Sequence, residues 1–353
     1  MAFEDRVLEL AAEIPPVDET SASEARERHL RLAKPPGSLG RLEGLGARLA
    51  GMAAECPPPV PENPAVLVCA GDHGVLGRGV SPWPQAVTAA MVGNFCDGRA
   101  AVNAIARTVG ARVSVLDVGV AGELGGHPLL RDAKVRRGTD DLGRGPAMSR
   151  DEAARAVMAG AGVAEELIES GGVDLMLTGD MGIGNTTPAA CLISAFTGRS
   201  PRRTTGRGTG IDDPTFELKV NVVEEALEMH ELDSGDPLGV LAAVGGLEHA
   251  AIAGVILMGA VCGVPVILDG VVSNSAALVA SALAPHSAEY LIAGHLSAEP
   301  GALIALEYLG LEPLLDLNMR LGEGTGGLLA VPLVRAAART QAEMATLQEL
   351  GIG

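Results

Sequence analysis

Two short glycine-rich segments hold carboxylates in settings suited to chemistry. The first, Gly179-Asp180-Met181-Gly182-Ile183-Gly184-Asn185-Thr186-Thr187, follows the apolar run Val173 to Thr178 and precedes an alanine-rich helical pattern opened by Pro188. This is the order of a buried strand, a glycine loop and a helix start. Glycine lets a backbone approach a ligand closely, and the free amides and dipole of a helix N-terminus favour an anion such as phosphate. Asp180 stands at the strand end beside that anion site. The second segment, Leu321-Gly322-Glu323-Gly324-Thr325-Gly326-Gly327, precedes another apolar helix. Glu323 has few bulky neighbours to block a substrate and suits a general base. The alternative is an acid that complements the helix dipole. Anion pocket and acid together point to chemistry on a phosphorylated small molecule.

Other segments say less alone. Gly71-Asp72-His73-Gly74 suggests a metal pair, but a metal needs more ligands, and His29, His127, His230 and His249 are scattered along the chain. Asp72 and His73 are therefore expected to serve a structural or substrate-orienting role, with no metal bound. Lys34 to Glu43 reads as a turn and helix start with Ser38 as cap. Gly206-Arg207-Gly208-Thr209-Gly210 imitates a nucleotide loop but follows no strand, and neither a P-loop lysine nor a GxSxG elbow occurs.

The elements that must position these residues follow from the apolar pattern. Short apolar runs at Ala65 to Ala70, Val113 to Val118, Val173 to Thr178, Val264 to Leu268 and Tyr290 to Ala293 alternate with helical stretches. The latter include Gln85 to Thr108, Asp151 to Glu169, Pro214 to Glu231, Ser273 to Ala284 and Glu299 to Leu309. Continuous apolar strands suit a parallel sheet covered on both faces, so the order predicts a doubly wound, mostly parallel α/β fold. Polar and glycine residues collect after the strands, where such sheets place ligands. Residues 61–310 are expected to form a large Rossmann-like domain. The proline-broken helical patterns of residues 1–60 and the helical tail 311–353 are expected to pack as a small helical subdomain. Arg199 to Gly210 reads as a long mobile loop. The charge-free stretch Ala250 to Leu268 is broken by Gly263 and Pro265, so it reads as a buried helix from about Glu248 to Cys262 and then a core strand, not a membrane span.

Composition bounds the function. A net charge of −18 disfavours nucleic acid and anionic lipid as partners. Hydrophobic content of 47% is ample for a core, which 2% aromatic content leaves to Ala, Val and Leu. The five cysteines include no CxxC pair, and Glu4 and Asp5 replace the basic start of a signal peptide. Both features favour a reducing cytoplasm.

Taken as an ordered set, Lys34 to Glu43, Gly71 to Val75, Gly179 to Ala189, Val266 to Gly270, His295 to Glu299 and Met319 to Gly326 resemble the nicotinate-nucleotide:dimethylbenzimidazole phosphoribosyltransferases. The match runs from near residue 30 to near residue 330. It implies transfer of the ribose phosphate of nicotinate mononucleotide to a dimethylbenzimidazole-type base, without a metal or redox cofactor, by a homodimer. Glu323, flanked by Gly322 and Gly324, would remove the imidazole proton. Gly182, Gly184, Asn185 and Thr186 would cradle the phosphate, with Lys219 and Ser297 as further contacts. Lys219 otherwise reads as an exposed helix lysine, and Ser297 as a helix cap. Ser81, Pro82 and Gln85 would line the base site, where Trp83 either stacks on the base or anchors a loop. Many relatives have Glu where this chain has Asp180, which makes Asp180 a supporting residue that acts through a water or holds the loop. A hydrolase transferring the same group to water and a non-catalytic nucleotide sensor are the competing readings.

Overall fold

The computed structural model describes residues 2–352. Six strands form one sheet: β1 (Pro64–Gly71), β2 (Arg112–Gly119), β3 (Leu130–Asp132), β4 (Leu175–Met181), β5 (Val266–Leu268) and β6 (Leu291–Ala293). All pairings are parallel, in the order β3-β2-β1-β4-β5-β6. The chain builds outward one way from β1 and the other way from β4. Their carboxyl ends therefore flank the crevice where doubly wound sheets bind ligands. Every residue of β1 and β4 is buried, and each fully buried Val or Leu contributes about 1.5–3 kcal/mol.

Helices cover both faces. Leu247–Val261 is buried along Leu247 to Ala260, which explains why no charge follows Glu248 and His249 in it. Among the described residues no helix is long and apolar enough to cross a membrane. The helices Glu19–Arg31 and Arg41–Ala53 pack together and against Thr325–Glu343, fixed by Arg28 Nε donating to Gln341 O at 2.6 Å. Phe3–Ala12 instead lies on Arg150–Glu165, where Arg150 bridges Glu4 and Asp236. One apolar core joins Val7, Leu45 and Val331 to the sheet residues.

Local differences from the sequence reading have physical causes. The stretch Gln85 to Thr108 is two helices, Ala86–Cys96 and Ala101–Val109, separated where Gly98 adopts φ +73°. Strand β3 has three partly exposed residues (Leu-Arg-Asp) and carries no apolar run to announce it. The tail is irregular from Glu312 to Gly324 before Thr325–Glu343 begins. Arg199 to Gly210 includes the short helix Pro201–Thr204, and the remainder is bonded to Lys219, Glu299 and Arg320. It forms a wall, not a free loop.

Candidate active site

A cavity of about 490 Å³ opens at the carboxyl edge of β4 and β5, within the range of small-molecule sites. The turn after β4 forms one part of its lining. Gly182 has no room for a side chain, because a Cβ would lie 2.2 Å from Gly71 O at the end of β1. This contact presses the turn onto the sheet and brings Gly184, Asn185 and Thr186 into the lining, where the helix Thr186–Thr197 begins. That helix start has no side-chain cap.

Lys219 reaches the same place from the helix Asp213–Met229. Its ammonium donates to Thr186 Oγ1 at 2.7 Å and Gly206 O at 3.0 Å, so one of its three N–H donors is left for a ligand. The side chain is buried, not exposed. Burial pushes its pKa down to about 8, while the charge of Glu299 works the other way. The amine is thus mostly charged at neutral pH. Glu299 in turn accepts from Gly208 N at 2.7 Å. Arg207 and Arg320 also line the cavity, the Arg207 guanidinium held by Asp213 and by Ile211 O at 2.9 Å, and that of Arg320 donating to Gly208 O at 2.7 Å. Ser297 lines the cavity and accepts from Glu299 N at 3.4 Å; it does not cap the helix Pro300–Tyr308, whose N-cap is Glu299, without a side-chain cap.

The second glycine segment lines the same cavity through Gly322 and Glu323. Gly322, Glu323 and Gly324 have φ of +83°, +64° and +90°. For glutamate this left-handed conformation costs about 1–2 kcal/mol. Asp269, buried just after β5, offsets that cost by accepting from Gly324 N at 3.0 Å, Gly326 N at 2.7 Å and Gly327 N at 2.9 Å. Gly324 thus holds the loop from behind and does not line the cavity. The Glu323 side chain is only 5% exposed, and its Oε2 has no hydrogen-bond partner. Burial pushes the carboxyl up to about 7; the Val102 backbone amide opposes this, and the Asp269 charge adds to it. A carboxylate poised near neutrality can take a proton from a bound molecule.

Asp180 sits between the two segments. Its Oδ2 accepts from Asn185 Nδ2 at 2.9 Å, and a Cβ on Gly322 would lie 3.1 Å from the same oxygen. Burial raises its pKa well above the usual carboxylate range, helped by the charges of Asp269, Glu248 and Glu323. It holds the turn after β4 through Asn185, and its Oδ1 has no partner.

The sequence-selected residues Asp180, Gly182, Gly184, Asn185, Thr186, Lys219, Ser297, Gly322, Glu323 and Ser81 therefore share one cavity. Asp72, His73 and Gln85 do not line it. Asp72 is buried, accepting from Ala121 N at 2.8 Å, and His73 turns to Glu248, 2.7 Å away. Gln85, exposed at the start of Ala86–Cys96, faces a neighbouring hollow shared with His73 and Ser81. Sequence reasoning gave no role to Asp269, His295, Glu299, Arg207 or Arg320. Arg207 lies in the run set aside for following no strand; its placement comes from contacts across the fold. The apolar side is made by Val80, Val87, Met91 and Ile211, with Trp83 half-exposed at the edge. It suits a flat, uncharged ring.

A parallel-sheet crevice that joins an uncapped helix start, a buried lysine and a poised carboxylate is the arrangement of a group-transfer enzyme acting on a phosphorylated small molecule. In agreement, a family model described as Phosphoribosyltransferase matches residues 14–352. The nicotinate-nucleotide–dimethylbenzimidazole phosphoribosyltransferase of Salinispora tropica is 55% identical, the alignment covering 97% of each chain. That of Chloroflexus aggregans is 51% identical, covering 96% of each. The crystal structure of the enzyme of that name from Thermus thermophilus superposes with a TM-score of 0.90 at 47% identity, covering 95% of this chain and 99% of that one. The chain belongs to the nicotinate-nucleotide–dimethylbenzimidazole phosphoribosyltransferase family.

Proposed function

We propose that the protein transfers the 5-phosphoribosyl group of nicotinate mononucleotide to 5,6-dimethylbenzimidazole or a similar base, in assembly of the cobalamin nucleotide loop. The products are α-ribazole 5′-phosphate and nicotinate. The observation that carries this reading is that Glu323 and the Lys219–Thr186 pair line one cavity. The phosphate lies at the start of the helix Thr186–Thr197, against Lys219 and Ser297, and the flat base lies against Val87 and Met91. Glu323 takes the ring N–H proton as the other nitrogen's lone pair bonds to the anomeric carbon. The glycosidic C–N bond breaks on the opposite side, and its electron pair neutralises the positive nicotinate ring. Attack opposite the leaving group inverts the anomeric centre. Holding both reactants in one cavity removes much of the entropic cost of their encounter.

Asp180 supports the turn through Asn185 and stays outside the bond changes. The terminal segments 1–60 and 311–353 act as the support that sets the Glu323 loop against the larger sheet unit. The protein works in the cytoplasm as a homodimer. Incubation with nicotinate mononucleotide, with and without dimethylbenzimidazole, tests the reading by product analysis. Nicotinate release that depends on the base, with α-ribazole phosphate formed, supports transfer. Release without the base makes the protein a hydrolase, and no release makes it a binding protein.

A further inference from the structure

Against the Gly182 turn, outside the cavity lining, the fold assembles a cluster that the sequence leaves dispersed. His73 follows β1, and Glu248 and His249 open the helix Leu247–Val261. His73 Nε2 lies 2.7 Å from Glu248 Oε1, and His249 Nδ1 lies 3.0 Å from that same oxygen. One potential ligand atom from each residue falls within 4.8 Å of the other two. All three side chains are buried, at 0–2% exposure. His73 and His249, scattered in the sequence, are thus brought together by the fold.

The cluster is incompletely satisfied. Glu248 Oε2, His73 Nδ1 and both ring nitrogens of His249 have no aligned hydrogen-bond partner. Buried polar atoms are rarely left so. The space beside them is kept by glycine. A Cβ on Gly246 would lie 2.5 Å from His73 Cε1, 2.7 Å from Glu248 Oε2 and 2.8 Å from His249 Nδ1. A Cβ on Gly71 would lie 3.1 Å from Glu248 Oε2. Two imidazoles and a carboxylate are a zinc donor set, and bonds of about 2.0–2.1 Å place tetrahedral ligand atoms about 3.3 Å apart. The contacts of Glu248 Oε1 with the two rings, 2.7 and 3.0 Å, are a little shorter than that spacing, and small side-chain rotations open them to it. A divalent ion would also offset the charge of the buried Glu248 carboxylate.

We propose that His73, Glu248 and His249 form a binding site for a divalent transition ion, zinc foremost, that ties the end of β1 to the helix Leu247–Val261 beneath the phosphate-side turn. The ion's role is to position this turn, since its ligands stand outside the substrate cavity. Binding of the ion is independent of the reaction assigned above.

The test strips the full-length protein with chelator and titrates it with Zn²⁺ and, separately, Co²⁺. Metal content and the visible spectrum of the cobalt form are the readouts. The expected result is one bound ion per chain, a cobalt spectrum of nitrogen and oxygen ligation without a sulfur charge-transfer band, and affinity at least about 100-fold weaker in His249→Gln. Glu248→Gln should behave alike. If that variant fails to fold, His249→Gln and the cobalt spectrum of the wild type still decide the matter. No tight binding by the stripped wild type, wild-type affinity in His249→Gln, or a sulfur band marking cysteine ligation would each overturn the proposal.

Discussion

Two helices begin at the same edge of the sheet, each after a glycine-rich turn, and they are finished differently. At Thr325–Glu343 the protein supplies its own anion: Asp269 accepts from three backbone amides and leaves no opening for a ligand anion. At Thr186–Thr197 no side chain caps the helix, and Lys219 stands beside it. The same local device thus serves two ends. A filled helix start fixes a strained Glu323 in place, whereas an open one leaves the Thr186 amide and the helix dipole available to an anion, Thr187 N being bonded to Gly184 O and Pro188 having no N–H. What separates them is not the glycine pattern but the residue each neighbouring strand or helix sends in.

The sharpest way to break this comparison is at Glu323. Glu323→Gln should lower kcat by about two to four orders of magnitude with the KM for nicotinate mononucleotide changed only slightly, as steady-state kinetics would report. Near-normal turnover would remove Glu323 from the chemistry. Next comes the filled helix start. Asp269→Ala leaves three buried amides without their acceptor and should cost about 2–4 kcal/mol in urea unfolding. A loss below about 0.5 kcal/mol would show that the loop is held by other contacts. At the open helix start, Lys219→Met keeps the buried stem and removes the charge. It should raise the KM for the nucleotide by about 10–100-fold, the worth of one charged hydrogen bond, and cost about 1–3 kcal/mol of stability, because the buried Gly206 O loses its donor. If instead only the KM for the base rose, the two ends of the cavity would be exchanged. The last test is of stability against pH. The Glu323 carboxyl sits near 7 in the fold, above its ordinary value of 4.5. The folded state therefore holds the proton longer than the unfolded one, and stability falls as pH rises across that interval. Glu323→Gln should remove this fall, making the variant the more stable form above pH 7 by thermal melts. A parallel decline in both proteins would contradict the assignment.

Much of the frame was legible because parallel strands are short apolar runs whose signal needs no tertiary context. Five of the six strands and the glycine turn after β4 are of that kind. Strand β3 was not, since Leu-Arg-Asp at a sheet edge carries no apolar pattern. In the site, Glu323 and the Gly182 to Thr186 turn could be read from local sequence, because close approach and helix starts leave a local mark. Lys219 was nominated by resemblance alone, and its burial became visible only in the fold. Asp269, Arg207 and Arg320 act across distances of many residues, so no spacing rule marks them. His73 and His249 show the same limit: 176 positions separate them (249 minus 73), yet one carboxylate oxygen contacts both rings.

The mechanism turns on Glu323 being the proton acceptor, and the pH profile of kcat/KM addresses that most directly. For the wild type, log kcat/KM should climb with unit slope below about pH 7 as Glu323 loses its proton, and decline above about pH 8 as Lys219 loses its own. In Glu323→Gln the acid limb should vanish while the alkaline limb stays. An acid limb that survives the substitution unchanged would contradict that role.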